Sequence, residues 1–558
     1  MTTTTTRQLR PGHIAVAVLA ANGVDVVFGL NGEHILGLYE ALAATPSIRH
    51  VTVKHENNAA IAAEVYGRLT GRPGVVTVTA GPGATNSLSG IAGAYAAGAP
   101  VIHISGGVPD GADLESFHGV DDPDVLQKAF ASVTKWSVRI TDPAQVADAL
   151  TRAFTLAVSG RPGPVHVEIA RNVLDGGPVE APSIAPAVLP PAVPAAGLDR
   201  LIARLDRARQ ITIVAGKGAW WPAVSAALPG LAEALGAPVA HTWDGHAAMP
   251  TEHPLHLGLY RGDGSHPEVR TYLRASDLVL GVGVRPGTEA ARLLTSECAE
   301  LVCLMANDSP DPAAGPAIPS MASLAATLRA LAEGVRRRPV SDAALAACAR
   351  ANRTLRKALS AELKRFAATR PWHIGLAIQA LAERMTPDHI VVSDVSNVKL
   401  WAPLQLPVYG PESHIQAGTW GEMGYALPAA IGAAFARPGR KVIALAGDTS
   451  FLMASSDFIT LCQWKLPIVM AVHHDGQTGM IHNMQTRAGG PVYATEIGEV
   501  NFARYAEAFG AIGIRVEEPD EIGPAWDRAL AADGPVLLEF MAGYDFPWPR
   551  LPRLIADE

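Results

Sequence analysis

Short apolar runs alternate with longer, Ala-rich amphipathic segments along most of the chain. The first part contains the runs "DVVFGL", "HVTVKH", "GVVTVTA", "PVIHISG" and "GPVHVEIA". The second contains "ITIVAG", "LVLGVGV" and "LVCLMA", and the third contains "IVVSDVS", "KVIALAGD", "LPIVMAVHHD" and "PVLLEFM". Continuous apolar runs separated by helices are typical of parallel strands covered on both faces. The pattern therefore predicts an α/β protein.

Two changes in composition divide this pattern into three blocks. Residues 181–197, "APSIAPAVLPPAVPAAG", are rich in Pro and Ala and predict a linker. Between about residues 331 and 371 the chain becomes charged and helical in pattern, which predicts a helical connection. We therefore predict three doubly wound parallel-sheet domains, at residues 7–180, 198–335 and 370–550.

Composition narrows the classes of function. The chain has 558 residues, of which 48% are hydrophobic and 18% charged, and its formal net charge is −8. This balance, without a Lys/Arg run, argues against nucleic acid as a partner. No apolar segment is long enough to predict a membrane helix, and the polar start "MTTTTTRQLRPG" has no signal-peptide core. The four cysteines have no CxxC or zinc spacing, so we expect reduced thiols and a cytoplasmic location.

Two acidic residues stand where buried strands of the third block end. Asp448 follows "KVIALAG" and Asp475 follows "LPIVMAVHH". Asp is a common turn residue, so each could simply end its strand. Ligands of parallel sheets collect beyond the carboxyl ends of the strands, however, and there two carboxylates and the carbonyl of Gln477 are oxygen ligands suited to Mg²⁺. The helix predicted after Asp448 would offer N–H groups to a diphosphate.

These residues resemble the diphosphate motif of thiamine-diphosphate-dependent enzymes, whose usual form is GDG…NN. The chain differs from that form in Thr449 and in the pair His474-Asp475. The resemblance implies that the third block is the diphosphate-binding domain, with Mg²⁺ held by Asp448, Asp475 and Gln477. It places Gly447, Thr449 and Ser450 beside the diphosphate.

Two further segments extend this resemblance within the third block. "GTWGEMGYALPAAIGAAFARP" is similar to the family segment that lies under the cofactor, and it makes Met423 the apolar side chain between the two rings of thiamine diphosphate. An isolated Met would more simply be a core residue. "SDVSNVKLW" matches a phosphate-contact segment and implies contacts from Ser396 and Asn397. Met480 lies on a segment that closes over the thiazolium in the family.

The first block resembles the pyrimidine-binding domain of the same family over residues 51–86. Glu56, placed at the end of the strand "HVTVKHE", matches the glutamate that exchanges a proton with the pyrimidine ring. Without that context it would be read as an exposed helix-start glutamate favoured by the helix dipole. Pro82 and Asn86, in "TAGPGATN", are implied to lie near the ring.

The order of the blocks and the segments around them most resemble the acetolactate synthase and benzaldehyde lyase branch. His34 in "LNGEHI" and His118 in "ESFHGVDD" are implied to contact substrate, although His34 could equally be a structural residue at a strand end. Glu33 is unlike the small residue usual there and disfavours a carboxylate-bearing acceptor. We expect a carboligase that decarboxylates a 2-keto acid such as pyruvate and transfers the acyl unit to an acceptor carbonyl.

Other interpretations stay open at this point. A 2-keto acid decarboxylase, or a lyase that cleaves C–C bonds without loss of CO₂, would use the same cofactor. A catalytically inactive relative with a binding or regulatory role is a third. The family builds its active sites from two subunits, which implies a homodimer or homotetramer. Relatives of acetolactate synthase hold FAD in the central domain, but the glycine clusters of this chain are common at strand ends and do not favour FAD.

Overall fold

A computed structural model describes residues 8–113, 116–307 and 318–543. The N-terminal domain is a six-stranded sheet in the order β3-β2-β4-β5-β7-β6, and all its strand pairs are parallel. β1 and β8 form a separate antiparallel pair. The strands are β1 (Gln8–Leu9), β2 (Val26–Leu30), β3 (Arg49–Thr52), β4 (Gly74–Val78), β5 (Val101–Gly107), β6 (Ser137–Ile140), β7 (Pro164–Ala170) and β8 (Val179–Glu180). The helices are α1 (Pro11–Ala21), α2 (Leu36–Ala43), α3 (Glu56–Thr70), α4 (Pro82–Asn86), α5 (Leu88–Ala97), α6 (Val125–Ala131), α7 (Val146–Val158) and α8 (Arg171–Leu174).

The central domain is a five-stranded parallel sheet in the order β11-β10-β9-β12-β13. Its strands are β9 (Ile211–Ala215), β10 (Val239–His241), β11 (His256–Leu259), β12 (Leu278–Val282) and β13 (Leu301–Leu304). Its helices are α9 (Leu198–Arg207), α10 (Pro222–Leu235), α11 (Pro267–Arg274), α12 (Glu289–Glu297) and α13 (Met321–Gly334). The direction in which strands are added reverses between β9 and β12, which is where such sheets bind ligands.

The C-terminal domain is a six-stranded parallel sheet in the order β15-β14-β16-β17-β19-β18. Its strands are β14 (Ile390–Ser393), β15 (His414–Gln416), β16 (Val442–Gly447), β17 (Ile468–His474), β18 (Ile512–Val516) and β19 (Val536–Met541). The long α14 (Asp342–Ala367) precedes it. Its other helices are α15 (Gly375–Ala382), α16 (Asn397–Gln405), α17 (Ala426–Ala436), α18 (Asp448–Ala454), α19 (Phe458–Gln463), α20 (Gly479–Arg487), α21 (Phe502–Ala508) and α22 (Ile522–Ala531).

The predicted α/β architecture with three parallel sheets is confirmed. Residues 181–197, predicted to be a linker, contain neither helix nor strand, and α13 and α14 form the helical connection that the charged segment predicted. The domain limits themselves stay a prediction. Residue 7 and residues 544–550, at the outer limits of the predicted ranges, lie outside the described residues.

Several strands carry no clear pattern in the sequence, and we did not predict them. β6, β11, β15 and β18 lie at or beside a sheet edge, and β10 and β15 have only three residues each. An edge strand pairs on one side only and needs less apolar sequence than a central one. The apolar runs therefore locate the central strands other than β10, together with the edge strands β3 and β13, and miss the other edge strands.

The three domains meet around α3 and α17, two helices that are buried along most of their lengths. Arg68 on α3 forms an ion pair with Glu64, and the Glu64 carboxylate also accepts a hydrogen bond of 2.7 Å from the Tyr425 hydroxyl of the C-terminal domain. The Arg68 guanidinium lies 4.1 Å from the ring centroid of Trp220 in the central domain. A charge buried with both an ion partner and an aromatic face is compensated, so this junction fixes the N-terminal and C-terminal sheets relative to each other.

Buried histidines lie where the central and C-terminal domains meet. The ring of His246 is 5.1 Å from that of His241 and 5.4 Å from that of His414, and His256 lies beyond His241. Burial lowers the pKa of His241 and of His414 to about 3, and that of His256 to about 4. Such residues stay neutral in the folded state but take up protons once unfolded. The folded state therefore loses stability as the pH falls below 6.5.

We expect His246→Phe to reduce this sensitivity to acid. Burial, together with His241, lowers the pKa of His246 well below 6.5, and neither ring nitrogen has a partner among the described residues. One such histidine costs about 2 kcal/mol of stability at pH 5. Melting temperatures at pH 7.5 and pH 5.0 should therefore differ less for the variant than for the unaltered protein. An equal drop in both proteins would contradict this account.

All four cysteines, Cys298, Cys303, Cys348 and Cys462, are free thiols. Burial raises the pKa of the Cys303 thiol to about 11 and that of the Cys348 thiol to about 12, so both are unreactive. Among the described residues, no helix has both the length and the apolar character needed to span a bilayer.

Candidate active site

The two acidic residues at the strand ends of the C-terminal domain lie together. β16 and β17 are parallel neighbours; Asp448 begins α18 directly after β16, and Asp475 follows β17. The Oδ2 atom of Asp448 accepts hydrogen bonds from the backbone N–H groups of Asp475, at 3.1 Å, and of Gly476, at 2.8 Å. The carboxyl ends of the two strands are thus held against each other by one carboxylate.

Both carboxyl groups are buried, with Asp448 only 2% exposed and the Asp475 side chain 5% exposed. Burial raises the pKa of Asp475 well above its ordinary value, and the nearby Asp448 raises it further. Two buried carboxyl groups repel each other when both are charged, and a divalent cation removes that cost. The described residues contain no group of three or more His, Cys, Asp or Glu side chains placed to hold a metal. Two carboxylates and a backbone carbonyl would leave coordination positions for diphosphate oxygens, which fits the way Mg²⁺ is usually bound.

The neighbours of this pair face elsewhere. The His474 side chain, at a position where the family has asparagine, lies 2.7 Å from Glu539 through its Nδ1 atom. The Gln477 side chain accepts a hydrogen bond of 2.6 Å from Thr495, while its backbone N–H donates to Asp475 at 3.0 Å. The Gln477 side chain is therefore already engaged, and any metal contact from this residue falls to its backbone carbonyl, as the sequence predicted.

The residues predicted to contact the diphosphate surround the same strand ends. Ser396 caps α16, and Asn397 is the first residue of that helix. The Cβ atom of Ser396 lies 3.0 Å from the position that a Cβ on Gly447 would occupy, so Gly447 and Ser396 are close neighbours. The backbone N–H of Thr449 donates to Asp448 at 2.6 Å. Ser450 differs, because its hydroxyl donates to the backbone carbonyl of Val395 at 2.9 Å and is buried inside the domain.

Met423 lies on a tight bend between two glycines in the left-handed region, Gly421 with φ +69° and Gly424 with φ +80°. Side chains with a Cβ rarely adopt these angles, so the glycines permit the bend that presents Met423, which is partly buried. Met480, the second residue of α20, packs partly against the core of the C-terminal domain.

Glu56 does not end a strand as predicted: β3 ends at Thr52, and Glu56 is the first residue of α3. The alternative of an exposed helix-start glutamate does not hold either, since Glu56 starts a helix but is only 7% exposed. Its carboxylate accepts a hydrogen bond of 3.0 Å from Asn86 Nδ2. Asn86 and Pro82 are the last and first residues of α4. The structure thus brings together the three residues predicted to lie near the pyrimidine.

The two predicted substrate histidines are in contact. The rings of His34 and His118 are stacked, with centroids 4.9 Å apart and planes at 23°. His118 has a φ of +68°, a strained angle for a residue with a side chain, of the kind that tends to occur at functional sites. Burial lowers the pKa of His34, and His118 and Arg171 lower it further. Both Nδ1 atoms are buried without a hydrogen-bond partner among the described residues.

Glu33, beside this pair, forms an ion pair with Arg171, with Nη1 and Oε1 2.5 Å apart. Arg171 also contacts Asp175 at 3.2 Å, so two carboxylates surround one guanidinium. The local charge is therefore negative, which disfavours a negatively charged ligand at this position.

A cavity of about 710 Å³ lies between the three domains, beyond the carboxyl ends of the central strands β9 and β12. Five cationic side chains line it, against the acidic Asp244 and Glu289: Arg161, Lys217, Arg261, Arg285 and Lys399. Met480 reaches its C-terminal wall. The glycine turns "AGKGAW" and "GVGVRPG" contribute Lys217 and Arg285 to the lining. The other cationic residues lie elsewhere in the three domains, and the five share no sequence motif.

Comparison with known families decides which family the chain belongs to. Residues 10–129, 198–331 and 394–540 match, in this order, the N-terminal TPP binding domain, the central domain and the C-terminal TPP binding domain of the thiamine pyrophosphate enzymes. The chain belongs to the thiamine pyrophosphate enzyme family. It is a thiamine-diphosphate-dependent enzyme, and the resemblance seen in its motifs is confirmed.

Several acetolactate synthases are similar to this chain over nearly its whole length. An acetolactate synthase of Mycobacterium bovis is 30% identical over 98% of this chain and 90% of its own length. The acetolactate synthase large subunit of Corynebacterium glutamicum is 30% identical over 94% of this chain and 86% of its own length. The large subunit of acetolactate synthase isozyme 2 of Escherichia coli is 30% identical over 96% of both chains. These likenesses agree with the branch that the sequence indicated.

Proposed function

We propose that the chain is a carboligase that decarboxylates a 2-keto acid such as pyruvate and transfers the acyl unit to an acceptor carbonyl. The observation that carries this proposal is the meeting of Asp448 and Asp475, two buried carboxyl groups at the carboxyl edge of a thiamine-diphosphate-binding sheet. The names of the full-length relatives support the carboligase over other reactions of the family.

Mg²⁺ is the proposed metal, held by Asp448, Asp475 and the carbonyl of Gln477. The hydroxyl and amide groups of Ser396, Asn397 and Thr449 are then the proposed donors to the diphosphate, with Gly447 allowing close approach. The Ser450 hydroxyl would need to leave Val395 to join them, so we assign Ser450 a backbone contact at the start of α18.

The pyrimidine end of the cofactor is proposed to lie against Glu56, Pro82 and Asn86, with Met423 between its two rings and Met480 beside the thiazolium. When bound, thiamine diphosphate would supply a carbon nucleophile for the keto carbonyl and a cationic ring that takes up the electrons released by decarboxylation. Glu56 exchanges a proton with N1' of the pyrimidine, and Asn86 holds the carboxylate of Glu56 in place at 3.0 Å.

His34 and His118 are the proposed substrate contacts. Because burial keeps His34 neutral at pH 7, one ring nitrogen can donate a proton to the acceptor carbonyl and the other can accept one. The carboxylates of Glu33 and Asp175 around Arg171 favour an acceptor without a carboxylate. A decarboxylase, a lyase acting without CO₂ loss and an inactive relative remain the alternatives that product analysis distinguishes.

The proposed assembly is a homodimer or homotetramer with its active sites between subunits. The contacts of Glu56 lie in the N-terminal domain and those of Asp448 in the C-terminal domain. Exposed apolar side chains flank both groups: Phe117 is 65% exposed, Met453 64% and Met484 54%. Exposed apolar side chains beside a site favour a subunit interface there. The free thiols fit the proposed cytoplasmic location.

The cavity between the domains changes our expectation about FAD. Its volume and its cationic lining suit a phosphate-bearing ligand, so we now propose that it binds FAD or a similar nucleotide. Protein purified from cells supplied with riboflavin should then absorb near 450 nm after dialysis. A colourless protein that does not bind added FAD would contradict this proposal and indicate an enzyme without flavin.

The proposed function is tested by removing divalent ions with a chelator and titrating thiamine diphosphate by calorimetry, with and without Mg²⁺. Pyruvate is then added and the products are identified. Binding that depends on Mg²⁺, followed by CO₂ release and a ligated hydroxyketone, is the expected result. An aldehyde as the only product would favour the decarboxylase, and the absence of binding would favour the inactive relative.

A further inference from the structure

Asp457 is a buried acidic residue that the proposed reaction does not use. It lies in the short turn between α18 and α19 and is 0% exposed. Its Oδ1 atom accepts a hydrogen bond of 2.7 Å from the Thr460 hydroxyl, and its Oδ2 atom accepts one of 2.6 Å from Asn58 Nδ2. The backbone N–H of Lys54 donates to both oxygens, at 3.0 and 3.1 Å.

Two of these three donors belong to the N-terminal domain and lie on either side of Glu56. Lys54 precedes Glu56 by two residues in the connection after β3, and Asn58 follows it by two in the first turn of α3. One carboxylate of the C-terminal domain therefore fixes the backbone just before Glu56 and a side chain just after it. The N-terminal sheet alone does not determine where Glu56 lies.

Further contacts hold the same segment against the C-terminal domain. The Lys54 ammonium lies 3.3 Å from Gln463 Oε1 and 3.5 Å from the Thr460 hydroxyl, both on α19. Within the part of the chain that the structure describes, Asp457 accepts only from uncharged donors. Hydrogen bonds to a carboxylate are shorter and stronger than those between neutral groups. The 2.6 Å bond to Asn58 is of this kind. Asp457 is thus the centre of the contact.

We propose that Asp457 is a positioning residue for Glu56: it holds the start of α3 so that the Glu56 carboxylate meets N1' of the cofactor. The inference rests on the proposed function, in which Glu56 exchanges a proton with that atom. Proton transfer requires heavy atoms within about 2.6–3.2 Å of each other, and a displacement of about 1 Å can cost 100-fold in rate. Asn86 sets the direction of the side chain, and Asp457 sets the position of the backbone.

The test measures hydrogen–deuterium exchange at C2 of bound thiamine diphosphate, by NMR after acid quenching, together with the affinity for the cofactor in Mg²⁺. We expect Asp457→Ala to slow the exchange by about 10- to 100-fold. The affinity for thiamine diphosphate should stay within about threefold of the unaltered protein, because Asp457 contacts none of the proposed cofactor ligands. A purely structural role would lower the melting temperature and leave the exchange rate of bound cofactor unchanged.

Asn58 allows a rescue experiment. Asn58→Asp places a second carboxylate 2.6 Å from that of Asp457, so repulsion should displace the segment and slow the exchange. The double variant Asp457→Asn with Asn58→Asp swaps the positions of the amide and the carboxylate and restores an attractive pair. The rate of hydrogen–deuterium exchange should then recover. Tyr425→Phe is the matched control. It removes the hydroxyl that donates at 2.7 Å from the C-terminal domain to Glu64 of α3, two turns beyond Glu56, and leaves the ion pair of Glu64 with Arg68 in place.

Three results would decide against the proposal. Normal exchange in Asp457→Ala would overturn it, and so would equal slowing in Tyr425→Phe. If Asp457→Ala does not fold, the double variant is compared with Asn58→Asp alone, and a lack of recovery overturns the proposal. Failure of the unaltered protein to bind thiamine diphosphate with Mg²⁺ would instead remove the proposed function and this inference together.

Discussion

Glu56→Gln is expected to slow both turnover and hydrogen–deuterium exchange at C2 of bound thiamine diphosphate by about 100-fold or more. Glutamine has the size of glutamate, and its side-chain oxygen can still accept the hydrogen bond that Asn86 donates at 3.0 Å. The amide has no proton that it can pass to N1' of the pyrimidine. Geometry should therefore be kept while the proton transfer is lost.

The measurement pairs exchange rates with calorimetric affinities. Thiamine diphosphate should bind to Glu56→Gln within about threefold of the unaltered protein, because Glu56 contacts neither the metal pair nor the proposed phosphate donors. Glu40→Gln, with an exposed glutamate of α2 replaced, serves as the control and should exchange at the normal rate. Full turnover by Glu56→Gln would show that a different group exchanges the proton.

Most of the fold could be predicted because the central strands of each sheet are buried on both faces. β4, β5, β7, β16 and β17 are buried at every position, and such strands are mostly apolar. β15, with the sequence "HIQ", is also buried, but two of its three side chains are polar, and His414 Nε2 lies 2.9 Å from the hydroxyl of Ser393. A strand stabilised in this way has no apolar pattern to reveal it.

The candidate site divides along a similar line. Asp448 and Asp475 could be predicted to meet because each ends a strand and the two strands are neighbours in one parallel sheet. The contact between His34 and His118 could not be predicted, since the two residues are remote in sequence and the contact depends on the positive φ of His118. Asp457 was missed because its importance lies in Lys54 and Asn58, which are remote in sequence.

Glu56 shows how a sequence pattern can place a candidate residue in the wrong element. The apolar alternation of "HVTVKHE" extends past the last strand pairing, which is between Gly29 and Thr52. The His55 side chain then accepts a hydrogen bond from the backbone N–H of Asn57 and caps α3, so the helix begins at Glu56. A helix start places the carboxylate at the carboxyl edge of the sheet, which is also where a strand end would have placed it.

Asp448→Asn is expected to lower the affinity for thiamine diphosphate in Mg²⁺ by about 100-fold, which corresponds to about 2.7 kcal/mol. The substituted asparagine would bring a neutral side chain to the metal, and its NH₂ group would take the place of one carboxylate oxygen. The Asp448 Oδ2 atom now accepts from the N–H groups of Asp475 and Gly476, so an NH₂ group there would also push the two strand ends apart. Titration calorimetry with and without Mg²⁺ measures both effects.

Asp475→Asn is the matched comparison, because the same change of carboxylate to amide is made on the other member of the pair. Its oxygen can still accept the N–H of Gln477, now 3.0 Å away, and can still face the metal. Asparagine is also the usual family residue at this position, so we expect an affinity within about tenfold of the unaltered protein. Equal losses in both variants would mean that total charge decides metal binding at this site. A smaller loss of affinity in Asp448→Asn than in Asp475→Asn would contradict the proposed metal site, because Asp448 would then not be its main ligand.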